Sequence, residues 1–142
     1  MTVGRSDLAA ALATLTSRLI AAERPILDAH DLSMWGYIVL SRLRRGEAPT
    51  QHVLAADIGY DKTRLIAVLD DLEHRGLVTR TPDPADRRAR VVSLTAAGGE
   101  RQATAQRAIH AMEERLLAHL SNDDRDVLRH LLDRALTVPG GS

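Results

Sequence analysis

Seven side chains between residues 61 and 91 carry most of the chemistry this sequence can offer: Lys62, Thr63, Arg64, Asp86, Arg87, Arg88 and Arg90. An ammonium, a hydroxyl and four guanidiniums are hydrogen-bond donors with no nucleophile and base beside them. Such groups hold oxyanions, and a guanidinium also pairs in fork geometry with guanine O6 and N7. From Arg75 to Arg90, five arginines (75, 80, 87, 88, 90) stand against two acids, Asp83 and Asp86. The whole chain has 19 Lys+Arg and 19 Asp+Glu, hence no formal net charge. Positive charge is therefore concentrated locally, as expected for contact with a nucleic-acid backbone rather than for a polycation.

The elements that must position these groups are legible from spacing. Asp61 is placed to cap a helix whose buried stripe is Leu65, Val68, Leu69 and Leu72 and whose stop is Gly76, which leaves Lys62, Thr63 and Arg64 on the first exposed turn. Pro49 and Thr50 open a shorter helix, with Val53, Leu54 and Ile58 as its apolar contacts, and Gly59 with Tyr60 turns the chain into the next one. Two helices joined this way form a helix-turn-helix pattern. Leu77 to Arg80 and Arg90 to Leu94 then read as antiparallel strands, with the turn-rich Pro82–Arg87 between them. A helix-turn-helix followed at once by such a ribbon, or wing, is far more specific than either alone.

The flanks are helical. Residues 7–29 carry a seam of Leu8, Leu12, Leu15, Leu19, Ala22 and Ile26, with Ser6 or Asp7 as cap and Pro25 expected to kink or end the helix. Ser33 caps a second helix running toward Gly46, with Trp35, Ile38, Val39 and Leu43 able to face inward. Arg42, Arg44 and Arg45 lie at its C-terminal turn, where they complement the helix dipole or reach phosphate. Thr95 caps a helix over about 96–120 bearing Ile109, Met112, Leu116 and Leu120. Ser121 and Asp124 open the last one, which carries Val127, Leu128, Leu131, Leu132, Ala135 and Leu136 and ends at Pro139 and the glycines. Two apolar terminal stripes leave surface that one copy is not expected to cover. The fold class is mainly α with a small two-stranded β wing: a winged unit over 32–95, and a helical dimerisation region over 1–31 and 96–142.

Several classes of chemistry drop out. The absence of cysteine removes disulfides, thiolate metal sites and thiol-based sensing. The six histidines are dispersed with no i, i+4 pair, so a metal site would have to be assembled across helices. There is no Gly-rich phosphate loop, nucleophile elbow or clustered acid/base set, and the expectation is a non-enzyme without a cofactor. The start of the chain lacks the apolar run of a signal peptide, and no stretch approaches the ~18 consecutive apolar residues of a membrane span. A cytoplasmic protein that does not engage membranes is expected.

The runs Leu72-Glu73-His74-Arg75-Gly76-Leu77-Val78, Asp83-Pro84-Ala85-Asp86-Arg87-Arg88 and Val92-Ser93-Leu94-Thr95, followed by Gly98, resemble the MarR family of winged helix-turn-helix transcriptional regulators. The likeness extends from about Leu32 to Gly98. It implies a homodimer with interlocked terminal helices and two winged domains on successive grooves of a pseudo-palindromic site in double-stranded DNA. It points Lys62, Thr63 and Arg64 at the major groove, Arg64 suiting guanine and the other two phosphate or single bases; a solvated helix face is the plain alternative. Ala67 stands where many members carry a polar or basic residue, so base readout is expected to be sparse. The resemblance sends Arg88 into the minor groove, braced by Asp86 through a charge-assisted bond, with Arg87 and Arg90 on phosphates. It also implies repression relieved by a small aromatic or phenolic effector held between the dimerisation helices and the winged domain. Near that place lie His30, Trp35 and Tyr37, with Arg18 or Arg42 as carboxylate partners, although Trp35 also fits a core role and His30 a loop role. The competing reading is a winged-helix protein-interaction module without DNA binding.

Overall fold

The computed structural model describes residues 4–137. Among them are six helices and one hairpin: α1 (Leu8–Ala29), α2 (Met34–Leu43), α3 (Gln51–Ile58), α4 (Lys62–His74), β1 (Val78–Pro82), β2 (Arg90–Leu94), α5 (Ala96–Leu116) and α6 (Asn122–Leu136). Pro139 and the glycines expected to end the last helix lie outside the described residues. No helix is long and apolar enough to cross a membrane.

Helix starts follow their caps. The side chains of Ser33, Thr50, Asp61, Thr95 and Ser121 each accept a hydrogen bond from the backbone N–H three residues on, at 2.9 to 3.3 Å. Asp7 occupies the N-cap position of α1, but its side chain makes no capping bond. Gly59 and Gly76 turn the chain out of α3 and α4 at φ 65 and 74, a left-handed backbone that glycine adopts without steric cost.

The core is a leucine- and valine-rich knot. Val39 and Leu40 of α2, Leu54 of α3, Leu65, Leu69 and Leu72 of α4, and Val78 and Val92 of the hairpin are essentially inaccessible. Helix α5 adds Ala105, Ile109 and Met112, and α1 adds Leu27. Gly98 decides how closely α5 sits on the hairpin: a Cβ there would lie 2.0 Å from the backbone oxygen of Leu77. Gln102 is the one buried polar side chain among the described residues, and it is satisfied, accepting from Arg44 at 2.7 Å and donating to Ser41 at 3.2 Å.

Four expectations need correction. Pro25 does not end α1, which continues to Ala29; burial of Leu27 and of Leu32 just beyond the helix offsets the backbone bond the proline removes. Helix α5 ends at Leu116 rather than near 120, because Arg125 donates to the carbonyls of Leu117 (3.2 Å) and Leu120 (2.6 Å) and holds a turn there. Val53 is exposed rather than a core contact. Strand β1 runs two residues past Arg80, pairing Pro82 with Arg90, and β2 gains a further rung outside the hairpin: Val92 N–H donates to Pro49 O at 2.8 Å, beside a Thr50–Val91 bridge.

Candidate nucleic-acid interface

Asp61 starts α4 by accepting the Arg64 N–H at 3.0 Å, which leaves Lys62, Thr63 and Arg64 exposed on its first turn. The wing tip is tied by its own backbone: Asp83 N–H donates to Ala89 O and Ala89 N–H to Asp86 O, both at 2.9 Å. Two carboxylates tighten it, Asp83 accepting from Ala85 N–H and Asp86 from Arg88 N–H, each at 3.0 Å. Asp86 therefore braces the backbone beneath Arg88, not its guanidinium as the family resemblance implied. The residues are only two apart, and an Asp carboxylate closes readily onto the N–H two positions on. Among the described residues the Arg88 guanidinium has no hydrogen-bond partner, so its five N–H donors remain for something else.

Between wing and helices lies a groove of about 430 Å³, lined by Lys62 from α4 and by Arg88 and Arg90 from the wing, with Asp83 and Asp86 on the same wall. Arg64, Thr63 and Arg87 stand exposed outside it. Among the described residues, none of Lys62, Arg64, Arg87, Arg88 and Arg90 forms an ion pair. The groove's remaining wall is the start of α3, Thr50, Gln51 and His52, which sequence reading did not single out. The Pro49–Thr50 helix start was visible there; that it faces the wing depends on the Val92–Pro49 bond, 43 residues along the chain by difference of the two numbers.

Two of the five arginines counted as local positive charge turn inward. Arg75 donates to Asp31 O at 2.5 Å and pairs with Asp71 at 3.4 Å. Arg80 pairs with Asp70 at 2.5 Å and Glu73 at 3.0 Å. Its hydrogen bond to Glu73, with charge attraction added, holds that carboxyl below the usual carboxylate range. At the end of α2, Arg42 bonds Asp57 at 2.7 Å and the Arg45 carbonyl at 3.0 Å, so it serves the fold rather than phosphate or an effector carboxylate.

The four remaining effector candidates do not share a site. Trp35 of α2 packs edge-on against Tyr60 in the turn between α3 and α4, ring centroids 3.8 Å apart at 79°. Tyr37 is half-buried against the core; burial, with Glu23 and Glu113 nearby, raises its phenol above the usual value despite an opposing Ser41 hydrogen bond. Arg18 is exposed on α1. His30 lines a cavity of about 450 Å³ between the end of α1, the α4–β1 junction and the start of α5, together with Asp31, Arg75, Leu77, Glu100 and Arg101. Arg101 donates there to His30 O at 3.0 Å. Neither Arg75 nor Arg101 could be assigned to this cavity from sequence, since it joins segments 45 and 26 residues apart by the numbers of its lining residues His30, Arg75 and Arg101. Among the described residues, no group of three or more His, Asp or Glu side chains is arranged to hold a metal ion.

The sequence profile of the MarR family matches residues 30–89. Transcriptional regulator HosA of Escherichia coli O111:H- is 31% identical over 108 residues, covering 76% of this chain and 80% of HosA. A candidate transcriptional regulatory protein for the hcr operon of Thauera aromatica is 29% identical over 98 residues, covering 69% of this chain; the match spans 59% of that relative's length. The transcriptional repressor CouR, solved on a 23-mer DNA duplex, is 30% identical with a TM-score of 0.79, covering 92% of both chains. CouR from Rhodococcus jostii RHA1 has also been solved with p-coumaroyl-CoA, a structure similar in fold to this chain at a TM-score of 0.78 and 22% identity, covering 96% of both chains.

Proposed function

The chain belongs to the MarR family of transcriptional regulators, and from that premise we propose that it represses transcription in the cytoplasm as a homodimer on a pseudo-palindromic operator. The observation that carries this reading is the division of the arginines. Arg75 and Arg80 are engaged internally, while Lys62, Arg88 and Arg90 line one groove without acidic partners at ion-pair distance. Unpaired cations projecting from a helix start and a tied hairpin are what phosphate neutralisation requires.

Arg64, at the exposed start of α4, serves as the base-reading fork, with Lys62 and Thr63 on phosphate or single bases. Arg88 enters the minor groove from the wing, its backbone held by Asp86, and Arg87 and Arg90 meet phosphates. Residues 32–95 form the reading unit, and 1–31 with 96–142 the dimerisation region. Support for the dimer comes from Leu8, Leu12, Val127, Leu131 and Leu136, exposed in a single chain. The effector is a small aromatic or phenolic compound, and the cavity lined by His30, Arg75, Glu100 and Arg101 offers it a place of about 450 Å³ beside the winged unit. CouR's complex with p-coumaroyl-CoA, a phenolic acyl thioester, supports a phenolic ligand.

The test is selection of bound fragments from genomic DNA, followed by affinity measured against salt. A palindromic fragment bound with steep salt dependence is expected, because each phosphate contact releases counterions. Arg88→Ala is expected to weaken binding on the order of tenfold to a hundredfold, at roughly 1.4 kcal/mol per factor of ten, while the dimer persists in sedimentation. Binding that is absent or indifferent to salt, with a protein partner recovered instead, would favour the interaction module.

A further inference from the structure

Arg80 occupies a place that neither DNA contact nor simple surface pairing explains. It sits in β1 opposite Val92, with 13% of its side chain accessible. Its guanidinium touches both helices of the helix-turn-helix: Nη1 donates to Gln51 Oε1 of α3 at 3.3 Å, and Nη2 to Asp70 Oδ1 (2.5 Å) and Glu73 Oε1 (3.0 Å) of α4. Its own backbone N–H donates to the other Glu73 oxygen at 3.1 Å. On the partner strand, Val92 N–H is bonded to Pro49 O just before α3. The wing is thus pinned from both strands, by one backbone bond from β2 to the start of α3 and by a four-bond arginine hub from β1, three of its bonds on α4 and one on α3.

We propose that Arg80 is the positioning residue that sets the wing's posture relative to the recognition helix α4, so that Lys62 and Arg88 face one duplex together. A planar fork is needed for this role, because three acceptors on two helices must be met by one group at once. An ammonium is a point charge and cannot span them. The hub also offsets one of the two negative charges that Asp70 and Glu73 would otherwise add to the DNA-reading unit. Depression of the Glu73 carboxyl by Arg80 agrees with the geometry.

The inference rests on the DNA-binding reading, and its test separates the two. The decisive variant is Asp70→Asn with Glu73→Gln, which raises the charge of each reading unit by two and releases Arg80. If Arg80 were merely a cation held back from phosphate, this variant would bind operator more tightly. Positioning predicts the opposite sign: affinity falls on the order of tenfold, and hydroxyl-radical protection is lost where the wing sits while it remains under α4. In an Arg88→Ala background the same change is expected to cost little further, because the misplaced wing no longer has its minor-groove side chain to lose. Arg80→Lys, which preserves charge and burdens folding least, is expected to show the same loss and the same coupling to Arg88. Tighter or unchanged binding by the double variant, or full retention by Arg80→Lys, overturns the proposal. Failure of the unaltered protein to bind DNA in a salt-dependent way would instead overturn the regulator reading beneath it.

Discussion

The winged unit and the outer helices of this chain are built to opposite standards of closure. From α2 to β2, apolar side chains are buried against one another, helix starts are capped, and Arg42 and Arg80 tie neighbouring elements together. Helix α6 by contrast buries none of its residues. Leu8, Leu12 and Ile20 of α1 and Val127, Leu131, Leu132 and Leu136 of α6 are exposed, and an apolar groove of about 640 Å³ runs along α1 past Leu12, Thr16 and Ile20. A reading head must present the same donors whenever it meets DNA, so it is closed within one copy. The outer helices leave apolar faces open, as interaction surfaces do, and in the proposed homodimer a second copy covers them.

The largest effect should come from breaking the open region. Leu12→Asp with Leu131→Asp is expected to dissociate the dimer in sedimentation and weaken operator binding by roughly a hundredfold or more, since two linked heads gain about 10²–10⁴ over one. Trp35 fluorescence should hardly change, because that ring packs on Tyr60 within the winged unit. Loss of the Trp35 signal together with the dimer would erase the contrast drawn above.

Gly98→Ala attacks the joint between the two regions. With Leu77 O only 2.0 Å from the added carbon, α5 must shift on the hairpin. The expected loss is about 1–3 kcal/mol, as for overpacking elsewhere, read as a lower midpoint in urea. Within the closed region, Asp61→Ala removes the cap of α4 and should cost about 1 kcal/mol. It should also loosen the turn that carries Lys62, Thr63 and Arg64, so operator affinity should fall even where folding is complete. An affinity equal to that of the unaltered protein would separate the cap from the reader.

The smallest effect concerns pH and has opposite signs in the two regions. Burial, with Glu113 nearby, raises the Glu23 carboxyl above its usual 4.5. The folded state then holds that proton more tightly than the unfolded chain, so Glu23 costs stability at neutral pH and the cost is relieved as pH falls through the raised value. Glu73 is held below 4.5 by Arg80, so its contribution is present above the unfolded value and is lost only as pH falls through the lowered one. Carboxyl NMR titration should find Glu23 above and Glu73 below the ordinary value. Glu23→Gln should raise the melting temperature at pH 7 and leave it unchanged at strongly acid pH; a lower melting temperature at pH 7 would contradict the sign.

The sequence by itself determined what depends on neighbours in the chain. The capping contacts of Ser33, Thr50, Asp61, Thr95 and Ser121 span three residues, the turns at Gly59 and Gly76 depend on local φ, and the stripe Leu65, Leu69, Leu72 follows helical period. These interactions are written in spacing, and the family likeness rests on the same local runs. Tertiary structure alone decided which arginines remain available. Arg42 meets Asp57, Arg80 meets Asp70 and Gln51, and Arg75 meets the carbonyl of Asp31. It also separated His30 from Trp35 and Tyr37, and moved Asp86 from the guanidinium of Arg88 to its backbone. A guanidinium carries five donors on a long flexible stem, and nothing in its own neighbourhood selects among acceptors that folding brings within reach. Charge could therefore be counted along the chain, but whether it stayed unpaired or met the protein's own acids and carbonyls was settled only by the packing of the elements on one another.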